Sequence, residues 1–382
     1  MAVSPASAPR VAFFLATSGH SGVDRLMRNL IPAVARRGYA VDLLKVREHG
    51  PELGEAPGVR VIDLGSSHVW SSLPALIRYL RRERPRVMLS DKDKVNRCSV
   101  VARALAGASG STRLVLRSGT TISVDLAHRG PVDRWIQRSS MRWLYRGAHA
   151  VVVPSDAAAQ DMLTYTGLPP SLVRALPSPV LSADLFERRP PPPDHPWFAK
   201  DQPPVILGTG ELSPRKDFAT LVRAFGRLRA KGRSCRLVIL GRGGQEAALK
   251  TLALELGVAH EMDLPGFRED VHAFMGHATA FALCSRWEGL GIVLVEAMAC
   301  GTPVVSTDCP SGPRELLRDG VLGDLIDIGD DAALAAALER LLDRPRQPER
   351  YREAVRRYEI ESATSGYLAA MGLPPQADEA AS

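Results

Sequence analysis

Residues 205–241 read VILGTGELSPRKDFATLVRAFGRLRAKGRSCRLVILG. A short apolar run ends on glycine, an amphipathic stretch follows, and a second apolar run again ends on glycine. That alternation marks a βαβ unit, two parallel strands covered by the helix between them. The pattern recurs outward from here. Towards the N-terminus, VAFFLA (11–16), SGVDRLMRNLIPAVARRG (21–38) and YAVDLLKV (39–46) make another such unit. Further strands are expected at 86–90, 113–117, 148–153, 278–284 and 303–306, with helices at 74–84, 133–146, 245–256, 291–300, 313–318 and 331–343. The fold class is α/β, with two doubly wound, Rossmann-like domains facing a central cleft. Ligands of such sheets bind beyond the carboxyl ends of the strands, so the strand-end turns are where chemistry is sought.

The 382 residues exceed one ordinary core at about 100–200 residues per domain. Composition breaks at ERRPPPPDHPWFAKDQPP (187–204), where consecutive prolines exclude helix and central strand and favour a stiff extended connection. The expected division is an N-terminal domain over 1–186, a linker over 187–204, a C-terminal domain over 205–348, a helical segment over 349–372 and a flexible tail over 373–382. Charge-free stretches such as 11–23 and 64–77 fall short of the roughly 18 residues of a spanning helix. Arg10 followed by VAFFLAT leads straight into a glycine turn and a helix, so it reads as the first strand rather than a signal peptide. Cys98, Cys235, Cys284, Cys300 and Cys309 show no CxxC or Cys/His spacing, which argues against a disulfide framework or zinc site and for a reducing, cytoplasmic compartment.

The formal charge of +7 is unevenly spread: residues 1–185 carry +11 and the remainder −4. A basic half suits nucleic acid, an anionic membrane or an acidic substrate. With 5% aromatic residues and no nucleic-acid module in the sequence, a membrane or an anionic substrate is expected and nucleic acid is not. The basic stretches include RYLRRERPR (78–86) and VDRWIQRSSMRWLYRG (132–147). The latter sets Arg134, Arg138, Arg142 and Arg146 at four-residue spacing, with Trp135, Ile136, Trp143 and Leu144 elsewhere around the helix. Two readings stay open for it: peripheral contact with an anionic bilayer, or a sheet-covering helix with solvated arginines.

The richest chemistry lies in SRWEGLGIVLVEAMACGTPVV (285–305), where an apolar strand ends in a glycine-rich loop and a short helix begins. Glu288 falls in the loop and Glu296 on the helix. Gly289 and Gly291 allow close backbone approach to a ligand, and free N–H groups near 291–293 suit phosphate. Glu296 is embedded in IVLVEAMAC, where an unpaired carboxylate would be costly. A functional pair, one carboxylate for a sugar and one for a ribose diol, is therefore preferred to two solvated surface charges. In the turn after VILGTG, Arg215 and Lys216 are adjacent cations able to neutralise a diphosphate. GTGELS lacks the third glycine of a dinucleotide fingerprint. Asp91-Lys92-Asp93 has Asp-x-Asp spacing, but neighbouring lysines crowd it, so no metal site is expected.

The Glu-x7-Glu arrangement in EGLGIVLVEAMACGTPVV (288–305) resembles the donor-site signature of retaining GT-B glycosyltransferases of family 4, the superfamily of glycogen synthase, sucrose synthase and bacterial mannosyltransferases. The resemblance extends through GTGELSPRKDFATLVRAF (208–225), RLVILGRGG (236–244), LPGFREDV (264–271) and STDCPSGPRELLRDGVLGDLIDIGD (306–330). It implies that Lys216 holds the leaving diphosphate and Glu288 orients the sugar, with Arg215 compensating for Glu211, which stands where the family commonly has Arg. It assigns donor contacts to Gly22, Gly210, Gly241, Phe267, Arg268, Gly289, Leu290, Gly291, Ile292 and Glu296. Gly22 would belong to a first glycine-rich loop, SGHSGVDRLMRN (18–29), together with His20. Phe267 is open between base pocket and core, and Glu315 reads as helix-start structure. Gly119 stands where the family often has a sugar-contacting His; Arg117 and Asn96 are further candidates for the cleft. The segment 349–372 would return toward the N-terminal domain.

The activity so implied is retaining transfer of a hexose from a UDP- or GDP-sugar to a hydroxyl acceptor, lipid-linked and cell-envelope precursors among the candidates. No cofactor or metal is expected. Two alternatives remain: a nucleotide-sugar epimerase or phosphorylase on the same architecture, and a catalytically silent GT-B protein that binds glycan or lipid. A peripheral location at the inner face of the membrane goes with the bilayer reading.

Overall fold

The computed structural model describes residues 8–17, 22–47, 49–127, 129–344 and 346–374. The chain forms two compact units, one of residues 1–180 with 358–382 and one of 181–357.

The first unit is built on seven parallel strands: β1 (Arg10–Leu15), β2 (Ala40–Lys45), β3 (Val59–Asp63), β4 (Val87–Asp91), β5 (Arg113–Arg117), β6 (Ala150–Val153) and β7 (Val173–Ala175). Their spatial order is β3-β2-β1-β4-β5-β6-β7. Central strands are buried on both faces, which is why VAFFL and LVL read as continuous apolar runs. One face packs under the helices Leu73–Glu83, Asp93–Leu105, Pro131–Leu144 and Asp156–Thr166. The other packs under Gly22–Arg36 and the C-terminal helix Ile360–Met371.

The second unit repeats the plan with β8 (Val205–Thr209), β9 (Arg236–Leu240), β10 (Met262–Gly266), β11 (Ala280–Leu283), β12 (Val304–Thr307) and β13 (Leu325–Ile326), ordered β10-β9-β8-β11-β12-β13 and all parallel. Strand order reverses between β8 and β11. In doubly wound sheets the turns at such a reversal run to opposite faces, and ligands bind between them at the strands' carboxyl ends.

The expected domain limits shift. The proline-rich segment 187–204 is packed onto the second unit, not a free connector. Arg189 Nε donates to the Gly276 carbonyl at 2.9 Å, His195 Nε2 pairs with Asp263 at 2.9 Å, and Phe198 meets Phe274 edge-on at 5.2 Å. Prolines deny it backbone donors, so side chains and rings anchor it instead. The return to the first unit comes at Tyr358, not 349: helix Pro348–Val355 stays on the second unit, where Arg352 Nε donates to the Ala299 carbonyl. Helix Ile360–Met371 then docks through Glu361 to Arg36 (2.8 Å) and Tyr367 Oη to Arg117 (3.1 Å). Leu373 is buried and Pro374 accepts from Tyr39, so the expected tail is anchored at its start; 375–382 lie outside the described residues.

Candidate functional site

The turns after β8 and β11 carry the cations and the first carboxylate. Lys216 Nζ lies 2.5 Å from Glu288 Oε1, and Arg215 Nη1 lies 3.2 Å from Glu288 Oε2. Ser285 Oγ donates to Glu288 Oε1 at 2.7 Å, and Ser311 Oγ, from the turn after β12, donates to the Glu288 carbonyl at 2.7 Å. A backbone bond from Arg286 N to Arg215 O (2.8 Å) locks the two loops together. Burial alone would raise the Glu288 carboxyl, but the Lys216 and Arg215 charges outweigh it and hold the carboxyl below the ordinary glutamate range. Glu288 is thus an ionised acceptor at neutral pH, unsuited to donating a proton. The trio carries one net positive charge in a place that is mostly buried, which favours an anion.

Glycine sets the approach of the loops beneath this trio. Gly241 has φ +142°, and a Cβ there would stand 1.8 Å from the Gly210 carbonyl oxygen. Gly312, at φ +87°, would drive a Cβ to 2.2 Å from the Leu290 carbonyl oxygen. Neither position admits a side chain.

Glu296 sits within helix Ile292–Ala299, fully buried, with Oε1 3.3 Å from His272 Nε2. The structure gives its carboxylate no exposed surface. His272 escaped the sequence reading, since a lone histidine near a helix start carries no signal. Ser285 and Ser311 escaped it too, although both lie in the quoted stretches.

The other expected residues divide. Gly289, Leu290 and Gly291 lie in the loop after β11, Ile292 begins the helix, and Gly210 directly follows β8 at φ +153°. Phe267 is 61% exposed, which removes the core reading, and Arg268 bonds Asp270 at 3.0 Å. Glu315 accepts from Arg357 at 2.9 Å. Gly22 opens helix Gly22–Arg36; His20 lies outside the described residues. Arg117 is buried against Asp91 (2.5 Å), and Asn96 bonds Ser90 and the Arg117 carbonyl, so both brace the first unit's strand ends. The Asp91-Lys92-Asp93 carboxylates are committed to Arg117 and Arg97. The five cysteines are buried free thiols; burial, then the Glu288 charge, pushes Cys309 up to about 12.

The family model "Glycosyl transferases group 1" matches residues 194–358, and "Glycosyl transferase 4-like domain" matches 21–179. A lipopolysaccharide core biosynthesis glycosyltransferase of Rhizobium meliloti, LpsE, is 36% identical over 177 residues, 45% of this chain and 51% of that protein. The chain thus matches about half the length of that relative. The N-acetylgalactosamine-N,N'-diacetylbacillosaminyl-diphospho-undecaprenol 4-alpha-N-acetylgalactosaminyltransferase of Campylobacter jejuni is 25% identical across 87% of this chain and 90% of its own length. Among solved structures, Anabaena HepE in complex with UDP superposes with a TM-score of 0.76 at 17% identity, over 95% of this chain and 99% of that one. The last likeness is one of fold.

Proposed function

We propose that the chain is a GT-B glycosyltransferase, a reading supported by the two glycosyl transferase family models over 194–358 and 21–179, and that it transfers a hexose from a UDP- or GDP-sugar to a hydroxyl acceptor with retention of anomeric configuration. The observation that carries the reading is the trio of Lys216, Arg215 and Glu288 at the strand-order reversal of the second unit. As the anomeric C–O bond lengthens, negative charge grows on the departing diphosphate, and fixed cations stabilise it most when water is excluded. Lys216 and Arg215 supply that charge without a metal; Arg215 contributes the positive charge that Glu211 does not. Glu288, kept ionised, accepts from sugar hydroxyls and holds both cations in place. The departing phosphate takes the acceptor's proton as the new C–O bond forms on the same face. Glu296 binds the ribose diol in this scheme. The Campylobacter relative, whose name specifies a diphospho-undecaprenol acceptor, supports a lipid-linked or cell-envelope acceptor here. We place the reaction in the cytoplasm, at the inner face of the membrane.

The test is a thermal-shift screen of UDP-, GDP- and ADP-sugars, followed by slow hydrolysis of the winning donor with and without EDTA. Stabilisation by one nucleotide class and turnover that survives EDTA are expected. No stabilisation by any nucleotide-sugar would refute the transferase reading, and loss of turnover with EDTA would refute the metal-free one.

A further inference from the structure

Helix Pro131–Leu144 is turned inside out relative to an ordinary sheet-covering helix. Trp135, Trp143 and Val132 are each 69% exposed and Ile136 is 46% exposed, whereas only Met141 is fully buried. At about 100° per residue these four positions share an arc of about 100° on the outside of the helix. Arg134, Arg138 and Arg142 fall in the adjoining arc of about 80°, and Arg146 follows in the next turn, its guanidinium 5.5 Å from the Trp143 ring centre. Among the described residues none of the four arginines has a carboxylate partner, while the helix's own acidic residue, Asp133, faces Arg129 at 3.9 Å. Exposed apolar patches of this kind mark contact surfaces, and tryptophan suits one that is apolar at one end and wet at the other.

The surrounding layer has the same character. Helix Asp93–Leu105 joins it through Arg97, bonded to Gln137 and Ser140, and carries Leu105, 55% exposed, at its far end. There Arg81 of helix Leu73–Glu83 donates to the Leu105 carbonyl, next to exposed Arg78 and Arg82. The three helices thus form one basic layer on one face of the first unit's sheet.

We propose that the outward side of helix Pro131–Leu144 docks on an anionic lipid bilayer, with Trp135, Trp143, Val132 and Ile136 entering the interface and the flanking arginines on lipid phosphates. Tryptophan and arginine side by side on an exposed helix are what a headgroup region accommodates. A second copy of the chain fits less well, because a two-fold contact would bring the same arginines face to face. Among the described residues no helix is long and apolar enough to cross a membrane, so this one lies on the surface. The arrangement would bring a lipid-linked acceptor to the protein, but vesicle binding needs no sugar and is judged separately from the transferase reading.

The probe is phosphatidylcholine vesicles with and without phosphatidylglycerol, read by flotation and by the blue shift of tryptophan emission. Binding to the anionic vesicles alone is expected, weakening as salt is raised. Each arginine contributes about fivefold, so replacing Arg134, Arg138, Arg142 and Arg146 by Gln should abolish flotation. Trp135→Ser with Trp143→Ser should abolish it independently, with arginines intact and the melting temperature unchanged, since both rings are exposed. Three results overturn the proposal: no binding by the wild type, equal binding to pure phosphatidylcholine, or flotation of both variants like wild type. A wild-type dimer that the tryptophan variant converts to monomer, with no vesicle binding, assigns the surface to a second copy instead.

Discussion

Replacing Lys216 by methionine keeps most of the side-chain volume and removes the charge 2.5 Å from Glu288. Both side chains are only 9% exposed, so water cannot take over the carboxylate. Breaking a buried ion pair from one side costs about 3–5 kcal/mol. Here Arg215 remains at 3.2 Å, though one-third exposed (34%), and Ser285 still donates at 2.7 Å, so a loss of about 2–3 kcal/mol at neutral pH is expected. The pH dependence is more telling than the loss. In the wild type the folded Glu288 carboxyl lies below its unfolded value, so its contribution is fully present above the unfolded glutamate pKa of about 4.3 and disappears as pH falls through the lowered folded pKa. In Lys216→Met burial is opposed only by the part-exposed Arg215 and the Ser285 hydrogen bond, and the folded pKa should rise above the unfolded one. Protonation then favours the fold, and the variant recovers stability as pH falls through that raised value. The gap between the two proteins should therefore be widest near neutrality, narrow as pH falls through the variant's raised value, and close only below the unfolded glutamate pKa of about 4.3, where the wild type's lowered value is passed. Urea melts followed by tryptophan fluorescence measure it, and adding Glu288→Gln to both proteins should flatten the dependence. A gap that is constant with pH, or that widens in acid, refutes the coupling of Lys216 to Glu288.

Glu296→Gln keeps shape but loses a charge-assisted bond worth about 1.5–3 kcal/mol; calorimetry should show affinity for the donor's nucleoside diphosphate falling by about tenfold or more, and unchanged affinity in a folded variant removes Glu296 from the ribose role. Gly241→Ala sets a Cβ 1.8 Å from the Gly210 carbonyl oxygen at φ +142° and should cost at least about 2 kcal/mol in the same urea melts. Gly244→Ala, with nothing within 4 Å of its Cβ, should stay within about 0.5 kcal/mol and is the control.

What the sequence reveals of this fold follows from burial. The nine strands expected from apolar runs are all interior members of the two sheets, where both faces must be covered. The four that escaped notice, β3, β7, β10 and β13, are the four edges. VRVID in β3 alternates with charges because none of its residues is buried, Val59 and Ile62 being half-buried and the other three exposed; MDLPG in β10 contains the proline and glycine that an edge tolerates, and β7 and β13 have only three and two residues. Helix Asp93–Leu105 was hidden for the opposite reason: buried Asn96, Ser99 and Arg103 interrupt its apolar periodicity, Asn96 and Arg103 because they bond the Arg117 and Thr112 carbonyls outside the helix, and Ser99 because its hydroxyl bonds back to the Val95 carbonyl one turn earlier.

The site obeys the same logic. Residues that must sit at a strand's carboxyl end announce themselves locally, as glycine and charge directly after an apolar run, so Arg215, Lys216 and Glu288 were visible one loop at a time. Their meeting was not: 72 residues separate Lys216 from Glu288, and only the insertion of β8 beside β11 brings the two turns together. The contacts that tune them are less visible still. Ser285, Ser311 and His272 matter through where their oxygen or nitrogen atoms fall, and a serine in a loop looks the same whether it faces water or a buried carboxylate. The ionisation of Glu288 therefore belongs to the topology of the sheet rather than to its own stretch of sequence. Moving the β11 loop by one residue would leave every quoted motif intact and still separate the carboxylate from both cations.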